Sequence, residues 1–102
     1  MAPWCPPCKE QIKVLKLVNE VSNVNIVTIN VDYRYSLEEL LDFQENEGIT
    51  WFFGHSPEAG SKYETTTIPT IIFVDTEGVI RYRGTYTTWS EFDNLLDEYG
   101  VS

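Results

Sequence analysis

Residues 2–8 read Ala-Pro-Trp-Cys-Pro-Pro-Cys, and this stretch decides how the rest of the chain is interpreted. Cys5 and Cys8 are three positions apart, so at the start of a helix they lie on one face, within reach of a disulfide. Pro6 and Pro7 suit a first helical turn, where backbone N–H groups have no helical partner. The stretch therefore predicts a helix that carries two cysteines at its N-terminal end.

The chemistry that such a pair favours is thiol–disulfide exchange. Cys5 falls at or near the helix N-cap, where the positive end of the helix dipole favours its thiolate. The two prolines have no N–H, which leaves the amide of Cys8 as the nearest backbone donor to the Cys5 sulfur. We expect Cys5 to be an accessible nucleophile and Cys8, one turn deeper, to resolve the mixed disulfide.

Two other interpretations of the pair are open. The first is half of a metal site, but structural zinc takes four ligands, and two cysteines with the lone His55 do not make four. We therefore predict no metal and no cofactor. The second is a non-catalytic binding or scaffold domain in which Cys5 and Cys8 form a static crosslink, although a crosslink that closes so short a loop adds little stability.

The composition is that of one small globular domain over residues 1–102, with 42% hydrophobic residues and a formal charge of −9. The first sixteen residues hold three lysines and one glutamate, and the rest of the chain holds four basic and fifteen acidic residues. Nucleic acid is excluded as a partner because its phosphates require Lys and Arg. No apolar run approaches the roughly 20 residues of a membrane span. Nothing here predicts a compartment.

Hydrophobic periodicity and turn signals predict an α/β layered domain with a mixed sheet. Ser36 with Glu39 forms a capping box for the second helix, and Gly48 ends it. The predicted elements, in chain order, are a helix through Val21, a strand over 24–31, a helix from Ser36 to Gly48, a strand-like connection over 49–54, a loop over 55–67 with one helical turn at most, strands over 71–74 and 79–84, and a helix that begins at Thr88 or Ser90 and ends at Gly100.

Residues 2–8, together with Ile68-Pro69-Thr70 ahead of an apolar strand, resemble the active-site motif and the cis-proline loop of the thioredoxin superfamily. Within it, the chain is most similar to the thiol–disulfide oxidoreductases of the TlpA/ResA type. The resemblance implies a three-layer α/β/α fold with helices on both faces of a mixed sheet. It also implies that Pro69 is cis beside the Cys5 sulfur, that the backbone of Ile68 pairs with an extended substrate, and that Trp4 forms part of the docking surface.

The same resemblance implies an enzyme that acts on protein disulfides or dithiols, favours the reducing direction and is recharged by an upstream thiol reductant. The family has a central strand immediately before the motif, and Met1 stands where that strand should finish. We therefore expect a strand missing upstream of Met1, two unpaired sheet edges, and either a monomer or, if the strand is truly absent, a swapped dimer. The missing strand normally carries a buried carboxylate, and Asp32 cannot be assigned its role from the sequence.

Overall fold

The computed structural model describes residues 1–63 and 67–99, which contain four helices and four strands. In chain order the elements are α1 (Pro6–Val21), β1 (Val27–Asn30), α2 (Leu37–Glu47), β2 (Phe52–His55), α3 (Pro57–Lys62), β3 (Ile71–Val74), β4 (Ile80–Gly84) and α4 (Trp89–Tyr99). No helix in the described part of the chain is both long enough and apolar enough to cross a membrane. The predicted end of the last helix, at Gly100, lies outside the described residues.

Helix α1 begins and ends where its sequence signals place it. Cys5 is the N-cap in an extended conformation, and its sulfur accepts a hydrogen bond from the Cys8 amide. Ser22 ends the helix and donates its backbone N–H to the Val18 carbonyl. The buried face of the helix consists of Cys8, Gln11, Ile12, Leu15 and Val18. This face anchors the cysteine-bearing turn to the core.

Helix α2 also has the predicted boundaries. The Ser36 hydroxyl accepts from the Glu39 amide at 3.1 Å, and the Glu39 carboxylate accepts from the Ser36 amide at 3.0 Å, which completes the capping box. Gly48 ends the helix with φ at 69°, in the left-handed region that a residue without Cβ enters at low cost.

Helix α4 begins after Thr88 rather than after Ser90. The Thr88 hydroxyl accepts from the Glu91 amide at 3.2 Å, and the Glu91 carboxylate accepts from the Thr88 amide at 3.1 Å. Two residues had fitted the N-cap in the sequence, and this reciprocal pair of hydrogen bonds distinguishes them.

The strands pair as two small sheets. β1 and β2 are parallel, with Val27 opposite Phe52, and β3 and β4 are antiparallel, with Ile71 opposite Gly84. The predicted α/β class is confirmed, with parallel and antiparallel pairing both present, but the described strands form two sheets instead of one continuous sheet. β2 occupies what the sequence predicted as a strand-like connection, and α3 forms in the segment predicted to be mostly loop.

Met1 lies along the free edge of β1. Its nitrogen donates to the Ile29 carbonyl at 2.9 Å, and its carbonyl accepts from the Val31 amide at 3.0 Å. This pair of hydrogen bonds is the pattern that one residue of a parallel strand makes with its neighbour. The prediction that a strand upstream of Met1 fills the place between β1 and β3 is not tested by these contacts and stays a prediction, as does the oligomeric state.

The core lies between α1, α4 and the strands. Its buried members are Ile12, Leu15, Val18, Ile49, Trp51, Phe73, Phe92 and Leu96. The Trp51 indole donates to the buried Thr28 hydroxyl at 2.8 Å, so its polar atom is satisfied.

A polar clamp joins α1 to the loop before α4. The Gln11 side chain donates to the Thr87 carbonyl at 2.9 Å and accepts from the Thr87 amide at 2.7 Å, and both residues are buried. The clamp fixes the helix one turn after Cys8.

Candidate active site

The structure brings Cys5 and Cys8 together at the N-terminal end of α1. The Cys8 amide donates to the Cys5 sulfur at 3.3 Å, which is the contact that the two intervening prolines predict. Both cysteines are free thiols in the structure. The Cys5 sulfur therefore lies at the N-terminal end of α1 and accepts a backbone N–H there.

The two thiols differ in environment. Burial, followed by the hydrogen bond with the Cys5 side chain, raises the pKa of Cys8 from 9.0 to about 12. At neutral pH the Cys8 thiol is therefore protonated, and its proton must leave before it can attack a disulfide.

We expected an accessible Cys5, but Cys5 is buried in this structure. Cys5 is 3% exposed and Cys8 is 1% exposed, so both are buried residues. The Cys5 sulfur lies between the amide of its own helix and the loop at Ile68, and these neighbours cover it from two sides. Only a small part of the Cys5 surface is exposed, and a substrate disulfide must approach through that part.

The loop before β3 packs against the Cys5 sulfur. The Cys5 thiol points to the Ile68 carbonyl at 3.9 Å, although the two residues are 63 positions apart in the chain. The Ile68–Pro69 peptide bond is cis, and Pro69 is buried. The three sequence-predicted residues Cys5, Ile68 and Pro69 thus lie at one place.

Trp4, the remaining predicted site residue, is held by a carboxylate. Its indole N–H donates to Asp32 Oδ2 at 2.8 Å, while the side chain stays 55% exposed. The Arg34 guanidinium donates hydrogen bonds to the same carboxylate, from Nη2 to Oδ2 at 2.6 Å and from Nε to Oδ1 at 2.9 Å. The hydrogen bonds to the Asp32 carboxylate hold the pKa of Asp32 well below its usual range, and the largest effect comes from the Arg34 guanidinium.

Comparison with known families identifies the domain. Residues 1–100 match the family model described as a thioredoxin-like domain. The chain belongs to the thioredoxin-like domain family. The placement of the chain among the TlpA/ResA-type proteins is a finer statement and stays a prediction.

Individual relatives share sequence or fold with this thioredoxin-like domain. The methylamine utilization protein MauD of Paracoccus denitrificans is 27% identical over 96 residues, and that of Paracoccus versutus is 29% identical over 97 residues; each alignment covers 94% of this chain. The chain spans about half the length of these relatives, 47% and 48% respectively. A thioredoxin-like protein from Aeropyrum pernix has the same fold, with a TM-score of 0.81 at 20% identity, over 96% of this chain and 73% of its own.

Sequence reasoning missed part of the thioredoxin-like site. Asp32 and Arg34 were not assigned a role, yet they hold Trp4 in place. Asn30 was also missed: its fully buried amide donates to the Asp32 carbonyl at 2.9 Å and accepts from the Asp32 amide at 3.2 Å. The position of Asp32 directly after a predicted strand was the only local signal, because its contact with Trp4 spans 28 residues.

The described residues hold no group of three or more His, Cys, Asp or Glu side chains that is arranged to bind a metal ion. His55 contacts the Asn30 amide through Nδ1 at 2.9 Å, at the edge where β1 and β2 end. His55 therefore belongs to the hydrogen-bond network of Asn30 and Asp32 and not to the cysteine pair.

Proposed function

We propose that this thioredoxin-like domain exchanges dithiols and disulfides with protein substrates, with Cys5 as the nucleophile and Cys8 as the resolving thiol. The observation that carries the proposal is the 3.3 Å hydrogen bond from the Cys8 amide to the Cys5 sulfur at the N-terminal end of α1. Membership of the thioredoxin-like family supports it, as does the high pKa of Cys8, which distinguishes the two thiols.

In the proposed first step the Cys5 thiolate attacks one sulfur of a substrate disulfide. The substrate S–S bond breaks, its second sulfur leaves as a thiolate, and a mixed disulfide joins Cys5 to the substrate. Because burial keeps Cys8 protonated, the departing substrate thiolate is the base that takes the Cys8 proton.

In the second step the Cys8 thiolate attacks the Cys5 sulfur and expels the remaining substrate sulfur. This remaining sulfur leaves as a thiolate and takes a proton from water, so the substrate has gained two electrons and two protons and leaves as a dithiol, while Cys5 and Cys8 become a disulfide. A dithiol reductant, of protein or small-molecule class, then returns the pair to the reduced state by the same exchange.

The loop at Ile68 and Pro69 has a positioning role in this proposal. The Ile68 carbonyl faces the Cys5 sulfur, so an extended substrate segment that pairs with the Ile68 backbone is carried to the sulfur. Trp4, exposed and held by Asp32, forms part of the docking surface in this proposal.

A second candidate function is favoured by one observation, which is the burial of both cysteines at 3% and 1% exposure. A non-catalytic binding domain with a static Cys5–Cys8 crosslink would require no access to either sulfur. The two candidates differ in whether the pair turns over.

Insulin reduction with dithiothreitol as the electron source tests the proposal. The wild-type chain should accelerate precipitation of the insulin chains over dithiothreitol alone, and Cys5→Ser should abolish the acceleration. When pre-reduced Cys8→Ser is mixed with insulin without dithiothreitol, it should accumulate a covalent adduct with substrate that dithiothreitol then releases, because the resolving step is lost. A wild-type rate equal to that of dithiothreitol alone would support the static crosslink and overturn the enzymatic proposal.

A further inference from the structure

An open recess of about 520 Å³ has Trp4, the residue before Cys5, as part of its lining. Its walls are Trp4, Arg34, Tyr35 and Glu39. Trp4 directly precedes Cys5 in the chain, so a ligand that contacts Trp4 in the recess contacts the residue next to the nucleophile. None of its walls except Trp4 has a part in the exchange chemistry.

One wall of the recess carries no net charge. Arg34 and Asp32 neutralise each other in a two-point ion pair, and Asp32 in turn fixes the Trp4 indole. The buried Asn30 side chain makes hydrogen bonds to the backbone amide and carbonyl of Asp32. Since two of the Arg34 guanidinium nitrogens are bonded to Asp32, Arg34 offers an anionic ligand much less than its formal charge suggests.

The other wall carries a free negative charge. The Glu39 carboxylate accepts from the Ser36 amide, and this hydrogen bond holds the pKa of Glu39 below its usual value, so Glu39 is ionised at neutral pH. None of the ion pairs in the described ranges includes Glu39. The recess therefore combines one uncompensated carboxylate with the aromatic side chains of Trp4 and Tyr35.

We infer that this recess selects protein substrates that carry a Lys or Arg side chain beside the reacting cysteine. The substrate cation meets the Glu39 carboxylate and the faces of Trp4 and Tyr35, which attract cations through their π electrons. The excess negative charge of the chain, −9 overall, draws such a substrate to the site and repels an acidic one. The inference rests on the proposed exchange activity and adds its substrate preference.

The test uses two cysteine peptides that differ only in having Lys or Glu next to the cysteine, each as a mixed disulfide with thionitrobenzoate. Release of the coloured thiol by the reduced chain measures kcat/KM. The Lys peptide should react about three- to tenfold faster than the Glu peptide at low salt, which is the range expected for one exposed ion pair with a cation–π contact. The ratio should shrink at high ionic strength.

Glu39→Gln isolates the charge. Glutamine at this third helical position still completes the capping box, so α2 keeps its N-terminus while the recess loses its carboxylate. The Lys preference should be clearly smaller in Glu39→Gln than in the wild type, and the aromatic faces with the remaining negative charge of the chain account for what is left. The matched control is Glu38→Gln, which removes a charge from the same exposed helical turn outside the recess and should keep the preference.

The outcomes separate the two proposals. Equal rates for both peptides in the wild type, or a Lys preference that is as large in Glu39→Gln as in the wild type, would overturn the recess inference and leave the exchange activity standing. Failure of the chain to reduce either peptide would overturn the exchange activity and the substrate preference with it.

Discussion

The clamp between Gln11 and Thr87 supports the helix that carries both cysteines, and its removal should be costly. Gln11→Met keeps nearly the same volume but removes both hydrogen bonds. The Thr87 amide and carbonyl then stay buried without partners, and each such group costs about 1–3 kcal/mol. We expect the free energy of unfolding to fall by about 2–6 kcal/mol, a large share of the roughly 5–15 kcal/mol of a typical domain.

Urea unfolding followed by tryptophan fluorescence measures this loss. With a slope of roughly 1–3 kcal/mol per molar urea, the midpoint should drop by about 1 M or more. The matched control is Asn19→Leu, because Asn19 also makes an amide hydrogen bond to a distant residue, to the Thr50 hydroxyl at 3.4 Å, but does so while exposed to water. Asn19→Leu should cost less than about 0.5 kcal/mol. A loss below about 1 kcal/mol for Gln11→Met, or a loss equal to that of the control, would refute the reasoning.

Three further predictions concern helix ends and a surface ion pair. Ser36→Ala should lower the free energy of unfolding by about 1 kcal/mol, and Ser36→Gly should lower it by only a few tenths. Both variants lack the capping oxygen, but alanine is also unfavourable at an N-cap position, whereas glycine is tolerated there. Equal urea midpoints for wild type and Ser36→Ala would contradict this prediction. Gly48→Ala should cost about 1–2 kcal/mol in the same assay, because φ is 69° there, and an unchanged midpoint would contradict it. The Arg34 guanidinium holds the pKa of Asp32 below its ordinary value of 3.8, so this carboxylate stabilises the fold above about pH 4 and loses that contribution as pH falls through its lower folded-state pKa. Asp32→Asn should therefore show a shallower decline of stability than wild type below pH 4, and parallel declines would argue against the ion pair.

The elements with local signals could be predicted from the sequence. Helix α1 has its N-cap, prolines and apolar face within sixteen residues, and α2 has a capping box and a terminal glycine, so neighbouring residues alone define their ends. Strand β2 had no such signal. Phe52–His55 is short, and it is a strand because it pairs with β1, which lies more than twenty residues earlier in the chain.

The site divides in the same way. The cysteine pair and the Ile68–Pro69 loop were found because each is a contiguous motif, and the structure brings them together. The contact of Trp4 with the Asp32–Arg34 pair was not predicted. The hydrogen bond from Trp4 to Asp32 joins residues 28 positions apart, and no sequence pattern around either residue indicates it. Burial of Cys5 was also beyond the sequence, because it depends on how closely the Ile68 loop approaches the end of α1.

The most direct test of the central claim is the rate at which each thiol of the reduced chain is alkylated by iodoacetamide, mapped by mass spectrometry across pH. The Cys5 sulfur lies at the helix end and accepts from the Cys8 amide, while burial raises the pKa of Cys8 to about 12. We predict that Cys5 is modified first at neutral pH, more slowly than an unshielded cysteine, and that Cys8 reacts appreciably only at strongly alkaline pH. Modification of Cys8 as fast as Cys5 at neutral pH, or a Cys5 that never reacts in the folded chain, would contradict the account.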